Sequence, residues 1–340
     1  MRVALLLVLL CLAGCAKDLN GTEPTTQAPK PSGPSLQYLG VGGWLLHWRG
    51  ETLLLAPSFS NPAFPPVFVK ANEQRIDDLM PDARDAKVLL IGHAHYDHLL
   101  DVPHIMRKQA PQAIAYGNEE AGHLLAGAGL KSRFVNMQPK MVTVRRGNRA
   151  KPQIVTQDRW EPNGAFRFMA IESQHAPHIA GINLLEGTRY REDLTQLPTY
   201  VRRWPGGQTL AWLIDLLDEK GEPVYRIHYQ DSASNPPYGF PPILQDGKRI
   251  DIAIICAAST DQVQLYPDAL LDVIKPRLMV YGHWEDFFGN EPSRPQLIRV
   301  QDENALIDRL KANYPEIKQV MPYPLTYVPL PPPESHGKGH

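Results

Sequence analysis

The stretch Val88-Leu89-Leu90-Ile91-Gly92-His93-Ala94-His95-Tyr96-Asp97-His98 runs from an apolar segment directly into a polar cluster. Ala86 to Ile91 is a short, mostly apolar run closed by Gly92, as expected of a strand covered on both faces. His93 and His95 are two apart on an extended chain, so their side chains leave the same face. Asp97 and His98 follow where the backbone turns toward a helix, aimed at a second position nearby. Asp97 has the alternative role of capping that helix. Four metal-competent side chains in six residues suffice to hold two cations side by side. A cluster this polar at the end of a buried strand needs partners that offset its desolvation, and metal ions are such partners.

Outward from this cluster the chain alternates strands and helices. Leu45 to Trp48, a turn at Arg49-Gly50, and Thr52 to Leu55 read as a hairpin ending at Pro57. Helical patterns follow near Val102–Lys108 and Glu119–Leu125, with Asn118 as N-cap of the second and the short strand Ala113–Tyr116 between them. Phe166–Ile171, Thr209–Asp215 and Val224–Tyr229 read as strands, the last two joined by the turn Asp218-Glu219-Lys220-Gly221. Ile252–Cys256 and Arg277–Val280 continue the plan, with helical patterns at Pro267–Ile274 and Glu303–Ala312. Strands come first, helices interleave, and the order then repeats loosely without any internal sequence repeat. The layered solution is an α/β sandwich: two mixed sheets face to face with helices outside, in one domain over residues 36–328.

The His-x-His-x-Asp-His pattern resembles the signature of the metallo-β-lactamase superfamily, which implies an αββα sandwich and further ligands in a set order. A third histidine is expected after a middle strand, where Ser173-Gln174-His175-Ala176-Pro177-His178 stands. A bridging aspartate is expected at a hairpin end, where Tyr229-Gln230-Asp231-Ser232 stands, and a last histidine after a late strand, as in Tyr281-Gly282-His283-Trp284. The resemblance thus covers most of residues 36–320. It implies one metal on His93, His95 and His175 and another on Asp97, His98 and His283, with Asp231 between them. His178, further past its strand, is the alternative to His175. Nitrogen and carboxylate ligands without cysteine suit two zinc ions, and manganese or iron also fit. The implied chemistry is hydrolysis by a metal-bridging hydroxide, with Asp97 as the catalytic group that orients or deprotonates it.

Within the superfamily, His95-Tyr96-Asp97-His98 with the Gln174-His175 and Gly282-His283-Trp284 contexts is similar to the branch of N-acyl-phosphatidylethanolamine phospholipase D and the ascorbate-phosphate lactonase-like proteins. Phosphodiester hydrolysis is the implied reaction. A C–O or C–N hydrolase acting on lactones or β-lactams is the alternative, and a non-catalytic metal-binding scaffold is a second. The chain departs from the family twice. Ala56-Pro57 stands where the family ends its first hairpin in Asp-Pro, which bears on ligand orientation. Gln230-Asp231-Ser232 replaces the usual Gly-Asp-Thr.

The N-terminus carries a different message. Met1-Arg2, an apolar run from Val3 to Ala13, and Leu12-Ala13-Gly14-Cys15 resemble a bacterial lipoprotein signal over residues 1–15. That resemblance implies lipidation of Cys15, a membrane anchor, and export. Because Ala16 and not aspartate follows Cys15, it points to the periplasmic face of the outer membrane. Residues 16–35, mostly Pro, Thr, Ser, Gly and Lys, read as a tether, and the Pro-rich tail 329–340, with His336 and His340, as solvated chain. Of the three cysteines, Cys256 lies in a buried-strand composition and reads as core packing, and no disulfide framework is expected. The 340 residues carry 35 Lys plus Arg against 36 Asp plus Glu, so there is no basic footprint for nucleic acid.

Two loops are candidate walls of the site, both beyond strand ends. Ser58 to Phe68 carries Phe59, Phe64 and Phe68, and Asn235 to Phe240 carries Tyr238. Phe59, Phe64, Tyr238 and His178 are the candidate substrate-binding residues, forming a rim suited to a small molecule or a lipid acyl chain. The prolonged segment Asn183–Gly207 offers a further means of shaping the pocket. His228, three residues before Asp231, reads as a strand histidine; His47, His104 and His123 read as structural or exposed.

Overall fold

The hairpin at residues 45–55 forms as β2 (Gly43–Trp48) and β3 (Glu51–Leu55). Arg49 and Gly50 close it with φ of 50° and 77°, the left-handed pair whose twist matches that of the flanking strands. The protein is described here from a computed structural model, which covers residues 31–143, 159–178, 185, 187–289, 291–299 and 301–334. Residues 1–30, with the expected signal, Cys15 and most of the tether, lie outside the described residues, as do His336 and His340. Among the described residues no helix is long and apolar enough to cross a membrane.

Five strands join the hairpin in the first sheet: β1 (Ser35–Gly40), β4 (Ala86–Leu90), β5 (Ile114–Gly117), β6 (Phe134–Asn136) and β14 (Tyr327–Pro329). Their order is β14-β1-β2-β3-β4-β5-β6. The second sheet contains β7 (Glu161–Asn163), β8 (Phe166–Glu172), β9 (Leu210–Leu217), β10 (Pro223–Tyr229), β11 (Ile252–Cys256), β12 (Leu278–Gly282) and β13 (Lys318–Val320). There the order is β13-β12-β11-β10-β9-β8-β7. Each sheet is antiparallel across its first half and parallel across its second: β14-β1-β2-β3 and β7-β8-β9-β10 alternate direction, and the remaining strands of both run parallel. The loose repetition of element order is therefore a repetition of topology.

Strand alternation divides the core. Trp44, Leu46, Leu53, Leu55, Val88 and Leu90 face the second sheet and meet Phe168, Trp212, Ile227 and Tyr229 there. Leu45, Leu54, Leu89 and Ile91 point the other way, into a core shared with α1 (Glu73–Leu79), α2 (Tyr96–Leu99), α3 (Val102–Lys108) and α4 (Glu119–Gly127). α5 (Asp268–Ile274) and α6 (Glu303–Asn313) cover the parallel half of the second sheet, whose β11 and β12 are buried throughout. Cys256 packs inside, its thiol against the Ala258 carbonyl. The αββα sandwich read from the sequence is the observed architecture.

The C-terminal boundary lies later than residue 328. Pro329 ends β14, the Leu330 N–H donates to the Pro34 carbonyl, and Tyr225 and Arg277 donate to the carbonyls of Pro331 and Pro332. Ser35, placed in the tether by its composition, belongs to β1. Short elements without periodic signal (α1, α2, β6, β7, β13, β14) were not legible.

On the outer face of the antiparallel half, β8, β9 and β10 place Arg167, Asp215 and Arg226 in one row. Asp215 accepts from both guanidinium groups at 2.7–2.8 Å, Asp246 closes the network, and Trp160 lies under both arginines at 4.6 and 5.3 Å. Arg226 and Asp215 are fully buried. Asp215→Ala would leave the buried Arg226 with Asp246 as its remaining carboxylate partner, so we expect it to cost about 3 kcal/mol in urea unfolding, with Cys256→Ala far milder as a reference core change.

Candidate metal centre

Four strands end at one rim of the sandwich and each delivers a polar side chain there. Past β4, the Gly92 carbonyl accepts from Leu210 and the Ala94 N–H donates to Gly206 at 2.8 Å, which keeps His93 to His95 extended against the second sheet. His95 then becomes the N-cap residue of α2, whose single turn carries Asp97 and His98 inward. β8 leads through Ser173 to His175, β10 through Gln230 to Asp231, and β12 directly to His283.

The delivered groups converge. His93 Nδ1 lies 3.1 Å from Asp231 Oδ1, His98 Nδ1 3.4 Å from Asp231 Oδ2, and Asp97 Oδ2 3.3 Å from Nε2 of both His98 and His283. The His175 ring sits 4.7 Å from His93 and 4.6 Å from His95, centroid to centroid. Three sets of ligand atoms each lie within 4.8 Å of one another: His93, His95 and His175; His93, His98 and Asp231; Asp97, His98 and His283. The structure thus brings together all seven residues expected as ligands, with Asp231 between the two outer sets.

These residues fit a pair of cations. His93 Nε2, His98 Nδ1, His283 Nδ1 and Asp231 Oδ2 are buried and make no hydrogen bond. Buried polar atoms left without partners are costly unless something absent from the chain satisfies them, and imidazole nitrogens with carboxylate oxygens are donors for divalent metals. His175 Nδ1 is occupied by the Ala176 carbonyl at 2.6 Å, which fixes the ring and leaves its other nitrogen for the site.

Electrostatics separate the two ends. Burial, reinforced by neighbouring imidazoles, pushes His93 and His175 well below the usual histidine range, and burial brings His95 to about 4. These rings are neutral at physiological pH. At the other end, burial acts against the Asp97 carboxylate, but His98 and His283 more than offset it and hold its pKa well below normal. Burial likewise acts against protonated His98, but Asp97 and Asp231 overcome it and raise its pKa. Burial raises Asp231, against the pull of His98 and His283. Asp97 does not cap α2; its carboxylate is engaged by the two imidazoles.

Two glycines permit this closeness. A Cβ on Gly92 would lie 2.3 Å from both Asp231 oxygens, and one on Gly42 would lie 2.6 Å from His98 Nδ1. The glycine closing the 86–91 strand is thus a requirement of the site, through the close approach of Asp231.

The expected substrate residues scatter. His178 stacks on His175 at 4.8 Å and faces His95 at 5.4 Å, so it borders the centre. Phe59 does not line a rim: it is buried in the helix-side core, where Asp101 accepts hydrogen bonds from the backbone of Phe59 and Ser60 and draws the loop inward. Tyr238 and Phe240 are also almost fully buried, in a loop pinned through Gly239 to the Glu172 carbonyl. Phe64 packs edge-on against Phe288 at 5.2 Å; Phe288 adjoins Phe287, whose ring meets His283 at 5.2 Å. Phe287 and Phe288 form the aromatic wall beside the centre that loop reading missed, although both follow within five residues of His283. Phe68 is exposed and pairs with Tyr200 away from this wall. His228 is buried with Nε2 on the Gly239 carbonyl, and His47, His104 and His123 engage Thr52, Asp77 and Asp193. Of the segment 183–207, residues 183, 184 and 186 lie outside the described residues; Leu185 offers its carbonyl to His95 at 3.0 Å. Ala56 sits buried with φ of 30° at the end of β3.

Two outcomes follow. Gly92→Ala forces its methyl into Asp231, and we expect metal content to fall while far-UV circular dichroism is retained. Acidification from pH 7 to 5 leaves His93, His95 and His175 deprotonated, because their pKa values are lowered. His98, with its pKa raised by Asp97 and Asp231, holds a proton more readily than those three rings and must lose it to bind a cation. The cation of the Asp97, His98 and His283 set is therefore released first, as metal analysis after dialysis at each pH will show.

No family model and no curated protein matches the sequence, whereas solved structures do. CmlA, a diiron beta-hydroxylase from Streptomyces venezuelae, superposes with a TM-score of 0.50 at 15% identity, over 89% of this chain and 55% of that one; the chain spans about half of that structure's length. YhfI, a metallo-beta-lactamase fold protein from Bacillus subtilis, gives 0.48 at 12% identity over 88% and 100% of the two chains. Igni18, a metallo hydrolase from Ignicoccus hospitalis, gives 0.47 at 14% over 87% and 97%. At 15% identity the likeness to CmlA is one of fold.

Proposed function

We propose that this chain is a two-metal hydrolase of the metallo-β-lactamase superfamily, acting on phosphodiesters in the manner of the N-acyl-phosphatidylethanolamine phospholipase D branch. The observation that carries this reading is the buried Asp231, which contacts one histidine of each of two adjoining ligand sets, His93 and His98. His93, His95 and His175 would hold one cation and Asp97, His98 and His283 the other, zinc being the first candidate, with manganese and iron next. Bound divalent cations supply Lewis-acid polarisation and an acidified water, a combination suited to in-line attack at phosphorus. Asp97, kept ionised by His98 and His283, would orient the attacking water by accepting a hydrogen bond from it. His178, stacked on His175, is placed to meet a polar substrate group at the opposite end. The wall of Phe287, Phe288 and Phe64 favours a diester with an apolar or acyl group on the His283 side.

The lipoprotein-like signal supports anchoring through acylated Cys15 to the periplasmic face of the outer membrane, with residues 16–33 as the tether that lets the domain reach a lipid or small-molecule substrate.

The test is release of p-nitrophenol from bis(p-nitrophenyl) phosphate, lost with chelator and restored by zinc or manganese. Turnover of nitrocefin or lactones without phosphodiester turnover would instead assign the C–O or C–N hydrolase reading; full metal occupancy with no turnover on any panel would assign the scaffold. Asp231→Ala should bring turnover below detection with the fold intact. Phe288→Ala should raise KM for the aryl diester about 10-fold with kcat little changed, the value of one apolar contact.

A further inference from the structure

Glu285, two residues beyond His283, is buried, and both its oxygens accept hydrogen bonds from β1 and the turn after it. One accepts from the Tyr38 hydroxyl in β1, and the other accepts from the Val41 N–H at 2.6 Å in the β1–β2 turn. The bonds then return to the ligand. The His283 N–H donates to the Val41 carbonyl at 2.8 Å and lies 3.1 Å from the Tyr38 oxygen. His283 has φ of 52° and Val41 φ of 54°, left-handed conformations that a residue with a side chain keeps only where its surroundings impose them. The same turn presses on a second ligand. Gly42 follows Val41, its Cα faces His98 so closely that a Cβ would stand 2.6 Å from Nδ1, and its carbonyl accepts from Tyr229 at 2.8 Å.

We propose that Glu285 is a positioning residue for one of the two cations: by clamping the 38–42 turn to the 283–285 segment, it sets the geometry of His283 and His98 and so the affinity of the Asp97, His98 and His283 set. The His93, His95 and His175 set is built from the ends of β4 and β8 and takes no bond from this clamp. The inference rests on the two-metal reading above and deepens it, because it makes the two equivalents unequal by construction. Hydrogen bonds that orient metal ligands typically govern affinity by about 10- to 100-fold.

The experiment titrates zinc into the chelator-stripped full chain, wild type against Glu285→Ala, Glu285→Gln and Tyr38→Phe, by competition with a chromophoric chelator, with far-UV circular dichroism on each sample. Wild type should take two equivalents. Glu285→Ala should weaken one of them about 10- to 100-fold and leave the other unchanged, with Tyr38→Phe shifting the same equivalent by less. Cobalt substitution should show the altered d–d spectrum in that equivalent alone. Two unchanged equivalents in Glu285→Ala, or two equally weakened, overturn the assignment. If Glu285→Ala does not fold, Glu285→Gln and Tyr38→Phe, which keep the volume, decide it; failure of all three to fold makes Glu285 a folding determinant and overturns it as well. Fewer than two equivalents in wild type would remove the two-metal reading itself, a result separate from the behaviour of the variants.

Discussion

A carboxylate buried between two imidazoles is an unfavourable thing for a chain to build, and the architecture around Asp231 exists to hold it. Removing this group from water costs several kcal/mol unless it finds compensating charge. His93 approaches one of its oxygens at 3.1 Å and His98 the other at 3.4 Å. Holding those three side chains together needs β4 and β10, from opposite sheets, to end at the same rim. The sandwich is thus the framework that fixes the distance between two strand ends, and the repeated half-antiparallel, half-parallel topology is how both sheets present parallel-strand C-termini at that place.

The fold and the ligand set were legible because both leave local marks. Apolar runs closed by Gly92 and Gly282 gave the strands, and histidines or an aspartate directly beyond them gave the centre. His175, Asp231 and His283 were legible only through resemblance, since nothing local ties them to the 93–98 cluster. What could not be read depends on distance in space. Phe59 looked like a rim residue among prolines and small residues, yet Asp101, 42 positions later, accepts its N–H and draws the loop into the core. Phe287, Phe288 and Glu285 sit beside an obvious ligand but acquire their surroundings from Phe64, Tyr38 and Val41, more than 220 residues earlier. The row of Arg167, Asp215 and Arg226 was likewise hidden, because charges on strands read as solvent-facing until a loop covers them.

Part of the backbone strain sits where the chemistry is expected. Of the positive-φ residues that are not glycine, His283 and Val41 meet beside the centre through the His283 N–H and the Val41 carbonyl, each costing about 1–3 kcal/mol. Such conformations persist because the bonds around them are numerous and buried, and the stability for this comes from elsewhere, from the wide apolar layer between the sheets and from the ion network on the far face of β9 and β10.

The last strand carries a consequence for how the molecule comes into being. β14, near the end of the chain, hydrogen-bonds to β1, and β1 holds the tyrosine whose hydroxyl meets Glu285. Until residue 329 has emerged from whatever machinery delivers it, β1 remains an open edge, the part of a sheet most prone to pair with a foreign strand. A variant lacking residues 327–329 would keep every side chain of the rim cluster but lose the neighbour that seats its first strand.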